Sequence, residues 1–363
     1  MNRILGICIL LAILVGGARP LIAQDSAPCA PTQYITQHLD DLAVVCFDPA
    51  TPETGVYHNA DERFPLAATL KIVILAAYAE RIDAGEAALD DTFPADALDA
   101  YFLPGSDTGA HALFAEEIIA GRRELTLDDL LGGLIVYSSD AVADFLLSRL
   151  DNRAIVSLYR RLGLAHTDAP FGMLGLYLVM SNHETGIADP EHLSKAAFWK
   201  EHAWLAEKYL TDAAWREAER AYRARPDSGL PDYAAQAAFL SRFGAHGTAA
   251  ELTALIQAAY SGETLAPGAQ EIMRRYLDWP LAGVTPLDAQ FAHFGAKSGA
   301  WPGVLAATYY TIDHAGQATA LTVLLRHIPP EQWLGWLATF GPLQFELDAI
   351  RTRCGVVQES LAG

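Results

Sequence analysis

The stretch FPLAATLKIVILAAYAE, from Phe64 to Glu80, constrains the fold of this chain more than any other. Drawn as a helix, it carries apolar side chains on all sides, which is the pattern of a helix buried in a protein interior. A single lysine, Lys71, is set deep in this run. The sequence therefore predicts a central helix, opened by Pro65, that carries one amine among apolar neighbours.

The elements predicted along the rest of the chain are mixed at both ends and helical in the middle. Thr126 with Asp129, and Thr248 with Glu251, have the spacing of helix N-terminal capping boxes. The elements expected at the two ends are a helix over Gln33–Asp41, strands over Leu42–Phe47 and Gly55–His58, three strands within residues 291–327, and a helix over Gln332–Arg351.

This order predicts an α+β fold with two lobes. A sheet lobe is built from both ends of the chain, over residues of about 30–64 and 245–355. An all-helical lobe, over about 65–244, is inserted between them. Within it, residues of about 190–240 are rich in Trp, Lys, Glu and Arg at helical spacing, which predicts an extra amphipathic helical segment, called the insert below.

The first 23 residues have the composition of a secretory signal peptide. Arg3 supplies the positive charge, residues 4–17 are apolar, and Ala23 is small enough to precede a cleavage site. The apolar run is short for a membrane span, and a retained N-terminal anchor is the alternative. We expect residues 24–363 to form one exported domain without stable membrane insertion.

The formal net charge of −19 excludes nucleic acid and anionic membranes as partners, because both require a basic face. The chain contains neither a CxxC nor an HExxH pattern, so no metal site is expected. We expect a monomer that uses no cofactor.

Three short motifs, far apart in the chain, can be interpreted together. In Ala68-Thr69-Leu70-Lys71, the first and last positions share one helix face, where a hydroxyl could meet an amine able to take its proton. Ser139-Asp140-Ala141 stands at an expected helix break, where a side chain can point into a cleft. Lys297-Ser298-Gly299 lies on an expected strand, where the glycine permits close approach of a ligand backbone and the ammonium attracts a carboxylate.

In this order the motifs resemble those of the penicillin-recognising serine enzymes, the class A β-lactamases and DD-peptidases. Their signatures are S-x-x-K, S-D-N and K-T-G or K-S-G. The flanks match as well: FPLA precedes the first motif, SDAVADFLL resembles SDN-x-A-x-N-L-L with Asp144 at its second Asn, and KSGAWPGV resembles the opening of the active-site strand. The resemblance covers about residues 33–351, apart from the insert, and implies the β-lactamase fold.

The resemblance implies a role for each matching residue. Lys71 takes the place of the general-base lysine, and Ser139 that of the hydroxyl that relays a proton to the leaving nitrogen. The backbone N–H groups of Ala68 and Ala300 would form the oxyanion hole. The residues expected to line the ligand site are Asp140, which is also expected to hold its loop, Ala141, Lys297, Ser298 and Gly299. Lys297 and Ser298 would hold the ligand carboxylate.

The nucleophile position departs from the family pattern, because Ala68 stands where the serine is expected. Thr69 cannot simply replace it, since on a helix it points about 200° away from Lys71. Removing such a nucleophile typically lowers the rate by about 10⁶. The cleft is therefore expected to bind a carbonyl beside a carboxylate without forming an acyl-enzyme.

Two further positions depart from the family. Ala141 replaces the asparagine that bonds a ligand amide, and residues 163–189 contain no E-x-x-x-N pattern for a deacylating glutamate. Glu184 is the nearest candidate, and we interpret it as a surface loop residue.

These observations favour a secreted β-lactamase-like protein that binds β-lactams or peptidoglycan-derived peptides without turning them over. An active hydrolase that works through Thr69 or water is one alternative. An interaction domain that acts through the insert is the other.

The family fold also implies a cysteine arrangement. Its two chain ends lie in adjacent helices, so Cys29 and Cys354 are expected to lie near each other. Cys46, inside the first strand, is expected to be a buried free thiol.

Overall fold

One five-stranded antiparallel sheet joins the two ends of the chain. The computed structural model describes residues 30–225, 230–283, 287–339 and 341–362, so the expected signal peptide lies outside the described residues. Numbered along the chain, the strands are β1 Leu42–Phe47, β2 Val56–His58, β3 Phe64–Pro65, β4 Thr92–Pro94, β5 Glu124–Thr126, β6 Ser181–Asn182, β7 Gly186–Ile187, β8 His246–Gly247, β9 Phe291–Trp301, β10 Val304–Asp313 and β11 Ala318–Leu325. The order in the main sheet is β2-β1-β11-β10-β9.

The first strand is apolar throughout because both faces of the sheet are covered. Ala43 and Val45 of β1 pack in the same core as the helix that carries Lys71. Val44 and Cys46 pack in a second core with the C-terminal helices. The sheet therefore lies between two helical layers, as expected for the α+β fold.

Helices make up most of the remaining described chain. Their bounds are Pro31–Gln37, Lys71–Asp83, Ala110–Phe114, Leu127–Ile135, Asp140–Leu147, Asn152–Leu162, Met173–Met180, Lys195–Thr211, Ala213–Arg223, Tyr233–Phe243, Ala249–Gln257, Pro267–Leu277, Trp279–Gly283, Leu287–Gln290, Pro330–Thr339, Gly341–Arg351 and Gly355–Ala362. Short 3₁₀ turns cover Leu39–Asp41, Pro52–Thr54, Ala67–Leu70 and Ala95–Leu98.

The predicted capping residues lie at helix N-termini. The Thr126 side chain accepts from the Asp129 N–H, and the Asp129 carboxylate accepts from the Thr126 N–H, so this capping box is confirmed. The Thr248 hydroxyl likewise accepts from the Glu251 N–H. The Glu251 carboxylate, however, accepts from Ala165 and His166 N–H and so ties a loop to this helix instead of closing a box.

Two predicted helices differ at their ends. The first ends at Gln37 and is followed by a separate 3₁₀ turn. The helix predicted over Gln332–Arg351 is two helices, Pro330–Thr339 and Gly341–Arg351, and a third follows over Gly355–Ala362. The prediction overlooked the Gly-Pro pair at 341–342, which is a common helix boundary signal.

The expectation that Cys46 is a buried free thiol is wrong. Cys46 and Cys354 form a disulfide, with their Cα atoms 5.6 Å apart, so Cys46 is not a free thiol. Cys354 is therefore bonded to the strand and not to Cys29, which lies outside the described residues. The bond ties β1 to the C-terminal helices across the second core.

Glu346 is buried in this second core, and its titration makes the free energy of unfolding depend on pH. Its carboxyl oxygen Oε2 lies 2.6 Å from the Tyr309 hydroxyl, and burial raises the pKa of Glu346 to about 7. The stabilising contribution of the protonated form is complete below about pH 4.5 and is lost as pH rises through 7.

A Glu346→Gln variant is expected to be more stable than the unaltered protein at pH 8, by up to about 3 kcal/mol. The amide keeps an acceptor for Tyr309 and requires no deprotonation. The difference is expected to vanish near pH 4.5. Urea unfolding at pH 4.5, 6 and 8 measures it, and a difference that does not change with pH would contradict the prediction.

Candidate active site

A tight 3₁₀ turn brings Ala68 to the edge of the sheet. Ala67 adopts a left-handed backbone conformation, φ 45°, which is rare for a residue with a side chain and is typical of functional sites. Gly299 of β9 packs directly on this turn, because a Cβ atom there would lie 2.3 Å from the Ala68 nitrogen. The glycine is therefore required by the approach of the turn itself, and not by a ligand backbone as the sequence suggested.

Lys71, the first residue of its helix, is buried, and its amine makes three hydrogen bonds. Its Nζ lies 2.7 Å from Asp140 Oδ1 and 3.3 Å from the Ser138 hydroxyl, and it also donates to the Ser138 carbonyl oxygen. Only 5% of Lys71 is exposed. The Asp140 carboxylate therefore balances the charge of the buried amine.

The serine beside the two lysines is Ser138 and not Ser139. The Ser139 hydroxyl is fully buried, caps the helix Asp140–Leu147 by accepting from the Val142 N–H, and lies 2.9 Å from His111 Nδ1. Ser138 precedes this helix in a left-handed conformation, φ 63°, that turns its side chain toward the cleft. The motif that faces the site is thus Ser138-Ser139-Asp140, one residue earlier than the sequence analysis placed it.

This shift also removes Ala141 from the ligand site. Ala141 is buried inside its helix, 3% exposed, and Asp140 occupies the position that the resemblance gives to the asparagine of S-D-N. The shifted motif also places Asp144 six residues after the first serine, which matches the second Asn of the family pattern.

Lys297 connects Ser138 to β9. Its Nζ donates to the Ser138 hydroxyl at 2.9 Å and to the Ser298 carbonyl at 2.8 Å. Burial, and then the nearby charge of Lys71, hold the pKa of Lys297 well below its usual range, while Asp140 opposes the shift. An anion bound at Lys297 would stabilise its protonated form. The Ser138 hydroxyl therefore lies between the amines of Lys71 and Lys297. Ser298 and Ala300, on β9 with Lys297, are exposed.

Asp107 is a site residue that the sequence analysis missed. Its carboxylate accepts from the N–H groups of His111 and Asp140, at 3.0 and 3.3 Å. Burial and the nearby Asp140 raise the pKa of Asp107 to about 6. Asp107 lies in a loop without a recognisable motif, so it could not be identified from its sequence context.

A largely apolar cavity of about 50 Å³ lies beside Ala68. It has room for at least one water molecule. Its polar lining is Lys71, Asp140 and Asp144, and its apolar lining includes Phe171, Met173 and Trp301. The Asp144 oxygens accept from the N–H groups of Met173 and Leu174, and burial raises the pKa of Asp144 to about 7.

Two residues considered for catalysis lie elsewhere. Thr69 is fully buried and donates its hydroxyl to the Leu66 carbonyl at 2.6 Å, so it does not face Lys71. Glu184 forms an ion pair with Lys208 at the surface, at 2.8 Å, consistent with its interpretation as a surface loop residue.

Removing one partner of the Lys71–Asp140 pair is expected to destabilise the fold. Lys71→Met leaves the Asp140 carboxylate without its counterion, which costs about 3–5 kcal/mol in buried pairs. The double variant Lys71→Met/Asp140→Asn is expected to recover most of this loss. Urea unfolding of both variants measures the difference, and equal stabilities would show that the pair is effectively solvated.

The chain is similar to known proteins in both sequence pattern and fold. A family model described as the beta-lactamase enzyme family matches residues 32–324. A β-lactamase from Sphaerobacter thermophilus is 18% identical, covers 95% of this chain and 97% of its own, and superposes with a TM-score of 0.52. A class A β-lactamase of the last common ancestor of Gram-negative bacteria is 17% identical, covers 88% and 100%, and gives 0.51.

The structure of L2 complexed with relebactam is also similar, at 18% identity, 94% and 99% coverage and a TM-score of 0.51. Comparison with curated protein sequences gives no match. At these identities the solved structures establish the fold, while the family model spans most of the chain. The chain therefore belongs to the beta-lactamase enzyme family.

Proposed function

We propose that the cleft binds peptidoglycan-derived peptides or β-lactams non-covalently and forms no acyl-enzyme at position 68. The observation that carries this proposal is the array of Lys71, Ser138 and Lys297, which remains connected by hydrogen bonds around a residue that has no nucleophile. Groups that position and polarise a ligand are present, whereas the group that would attack it is not.

The edge of the sheet supplies the ligand contacts. Within the part of the chain that the structure describes, β9 pairs in the main sheet with β10 alone, so its other edge can accept an extended peptide as an added strand. Lys297 and Ser298 attract a carboxylate, and the backbone N–H groups of Ala68 and Ala300 are the donors for a carbonyl. A ligand carboxylate would also stabilise the charge on Lys297.

The chemistry at position 68 supports binding over turnover. The methyl group of Ala68 cannot attack a carbonyl, and the Thr69 hydroxyl is committed to Leu66. Loss of a nucleophile lowers the rate by about 10⁶, or about 8 kcal/mol, and one oxyanion-hole donor contributes only about 3 kcal/mol.

We further propose that the protein works outside the cytoplasm. The signal-like N-terminus and the Cys46–Cys354 disulfide both support an oxidising compartment. Among the described residues, no helix combines the length and apolar character needed to cross a membrane.

The test is calorimetric titration of the mature protein with a penicillin and with a peptidoglycan stem peptide that ends in a free carboxylate. Binding without a mass increase in intact-mass spectrometry is expected. Lys297→Ala is expected to weaken binding of the carboxylate ligand at least about tenfold, because it removes the charge partner. Lys200→Ala, an exposed lysine on the insert, is the control. If neither ligand binds the unaltered protein, the proposal is wrong.

Acyl transfer by Ser138 is a second candidate function. It is favoured by the position of its hydroxyl, 2.9 Å from Lys297 Nζ and 3.3 Å from Lys71 Nζ, on a residue with φ 63°. A penicilloyl adduct on the unaltered protein that disappears in Ser138→Ala would support this candidate and overturn the first.

A further inference from the structure

A second cavity lies apart from the candidate active site. Its volume is about 420 Å³, which is within the range of small-molecule binding sites. Its charged lining consists of Arg81, Asp91 and Arg149, and none of its lining residues lines the cavity beside Ala68. We call it the two-arginine pocket.

Two parallel helices bring both arginines to this pocket. The helices Lys71–Asp83 and Asp140–Leu147 meet at their first residues, in the ion pair described above. Near their other ends, the Tyr78 hydroxyl donates at 3.0 Å to a carbonyl oxygen in the last turn of the second helix. Arg81 lies in the last turn of the first helix, and Arg149 follows the second helix by two residues. The two guanidinium groups therefore converge although they are far apart in the chain.

The Arg149 guanidinium is held in one orientation by aromatic rings and hydrogen bonds. Its carbon lies 3.5 Å from the centroid of the Phe145 ring and 5.8 Å from that of Phe93. Its Nη1 donates to the Phe145 carbonyl and to the Ser148 hydroxyl, both at 3.1 Å. Within the part of the chain that the structure describes, no carboxylate oxygen lies within 4 Å of this guanidinium, and its Nε and Nη2 make no hydrogen bond. These two nitrogens form the edge with which an arginine binds a carboxylate through two hydrogen bonds.

Arg81 has an acidic neighbour at the outer limit of an ion pair. Its Nε lies 3.9 Å from Glu86 Oε2, and its guanidinium carbon lies 5.5 Å from the centroid of the Tyr78 ring. Burial raises the pKa of Tyr78, whereas the positive charges of Arg81 and Arg149 lower it, which is consistent with both guanidinium groups lying near this hydroxyl. The carboxylate of the lining, Asp91, accepts from a backbone N–H at 2.8 Å. The pocket thus carries two cations and one anion in a chain whose formal net charge is −19.

We propose that the two-arginine pocket binds a small organic acid, a molecule that carries a carboxylate on an apolar body. A guanidinium edge matches a carboxylate with two parallel hydrogen bonds, and two converging guanidinium groups attract an anion more strongly than either alone. The remaining wall includes Ala87, Phe93 and Leu127, which would contact the apolar body. The helix dipole also favours a basic residue at each of these helix ends, but it does not account for the cavity that both arginines line. This site is independent of the proposed function.

The test is calorimetric titration of the mature protein with benzoate, with neutral benzamide and with inorganic phosphate. All titrations use a Lys297→Ala background, because Lys297 is the other group expected to attract a carboxylate. Benzoate is expected to bind at least about tenfold more tightly than benzamide or phosphate, since only benzoate combines a charge with an apolar body.

Variants of the pocket locate the bound benzoate. Arg149→Met and Arg81→Met are each expected to weaken benzoate binding at least about tenfold, because each removes a charged donor. Arg149→Lys, which keeps the charge without the planar edge, is expected to weaken it by a smaller factor. Arg153→Met, which alters an exposed arginine on the following helix, is the matched control and is expected to bind benzoate unchanged.

Each other outcome overturns a stated part of the inference. Benzamide or phosphate that binds as tightly as benzoate would overturn the organic acid as the ligand class. Benzoate binding that survives in both Arg81→Met and Arg149→Met, an equal loss in Arg153→Met, or no benzoate binding at millimolar concentrations would overturn the site itself. Circular dichroism shows whether each variant is folded, and Arg149→Lys decides the question if Arg149→Met does not fold.

Discussion

Replacing Ala68 by serine is expected to produce a protein that a penicillin acylates, whereas the unaltered protein carries no adduct. The new hydroxyl would lie one 3₁₀ turn before Lys71, which matches the general-base lysine of the family and whose Nζ lies 3.3 Å from the Ser138 hydroxyl. Ser138 can pass a proton to the leaving nitrogen. The expected gain in acylation rate is about 10⁶. Intact-mass spectrometry after a penicillin incubation measures it.

The controls for this prediction use the same cleft. Ala68→Ser/Lys71→Ala is expected to lose the adduct, because the base is gone, and Ala68→Gly is expected never to form it. An Ala68→Ser protein that folds but remains unmodified would show that the site lacks more than a hydroxyl.

The adduct on Ala68→Ser is also expected to persist. Of the carboxylates that line the cavity, Asp140 is bound to Lys71 and Asp144 to the N–H groups of Met173 and Leu174, so neither is free to activate a water. Met173 lines the cavity. Adding Met173→Glu should therefore shorten the adduct lifetime.

Loss of the Cys46–Cys354 disulfide is expected to lower the free energy of unfolding substantially. The bond closes a loop with a sequence separation of 308, and removal of a native disulfide typically costs about 2–5 kcal/mol. Both cysteines are buried, so Cys46→Ala/Cys354→Ala also leaves a packing defect in the second core. Thermal unfolding of the variant and of the reduced protein measures the change.

Thiol titration provides the control for this connectivity. The denatured, unreduced mature protein is expected to show one free thiol, and Cys29→Ala none. Two titratable thiols remaining in Cys29→Ala would mean that Cys46 and Cys354 are not bonded.

Much of the fold could be predicted from the sequence because the strongest sequence patterns involve residues that are close together in the chain. LAVVCF is apolar at every position, which identifies a strand buried on both faces, and Lys71 stands out because an amine inside an apolar run requires a partner. The helix break before Asp140 follows from two separate apolar runs. Each of these features depends on residues close together in the chain.

The errors concern features that depend on distant residues or on one backbone angle. Two adjacent serines precede Asp140, and only the left-handed backbone at Ser138 decides that its hydroxyl, and not that of Ser139, meets the lysines. The choice of Cys46 as the partner of Cys354 depends on how β1 packs against helices some three hundred residues later. Spacing alone could determine neither.

The pairing of β1 with β11 also governs when the protein can fold. Leu42 lies opposite Leu325, so the central strand from the start of the chain has no neighbour on that side until the last strand has been synthesised. Such a high contact order slows folding and prevents the sheet from closing on a partly made chain. On a partly made chain the main sheet therefore stays incomplete until β11 is available to pair with β1.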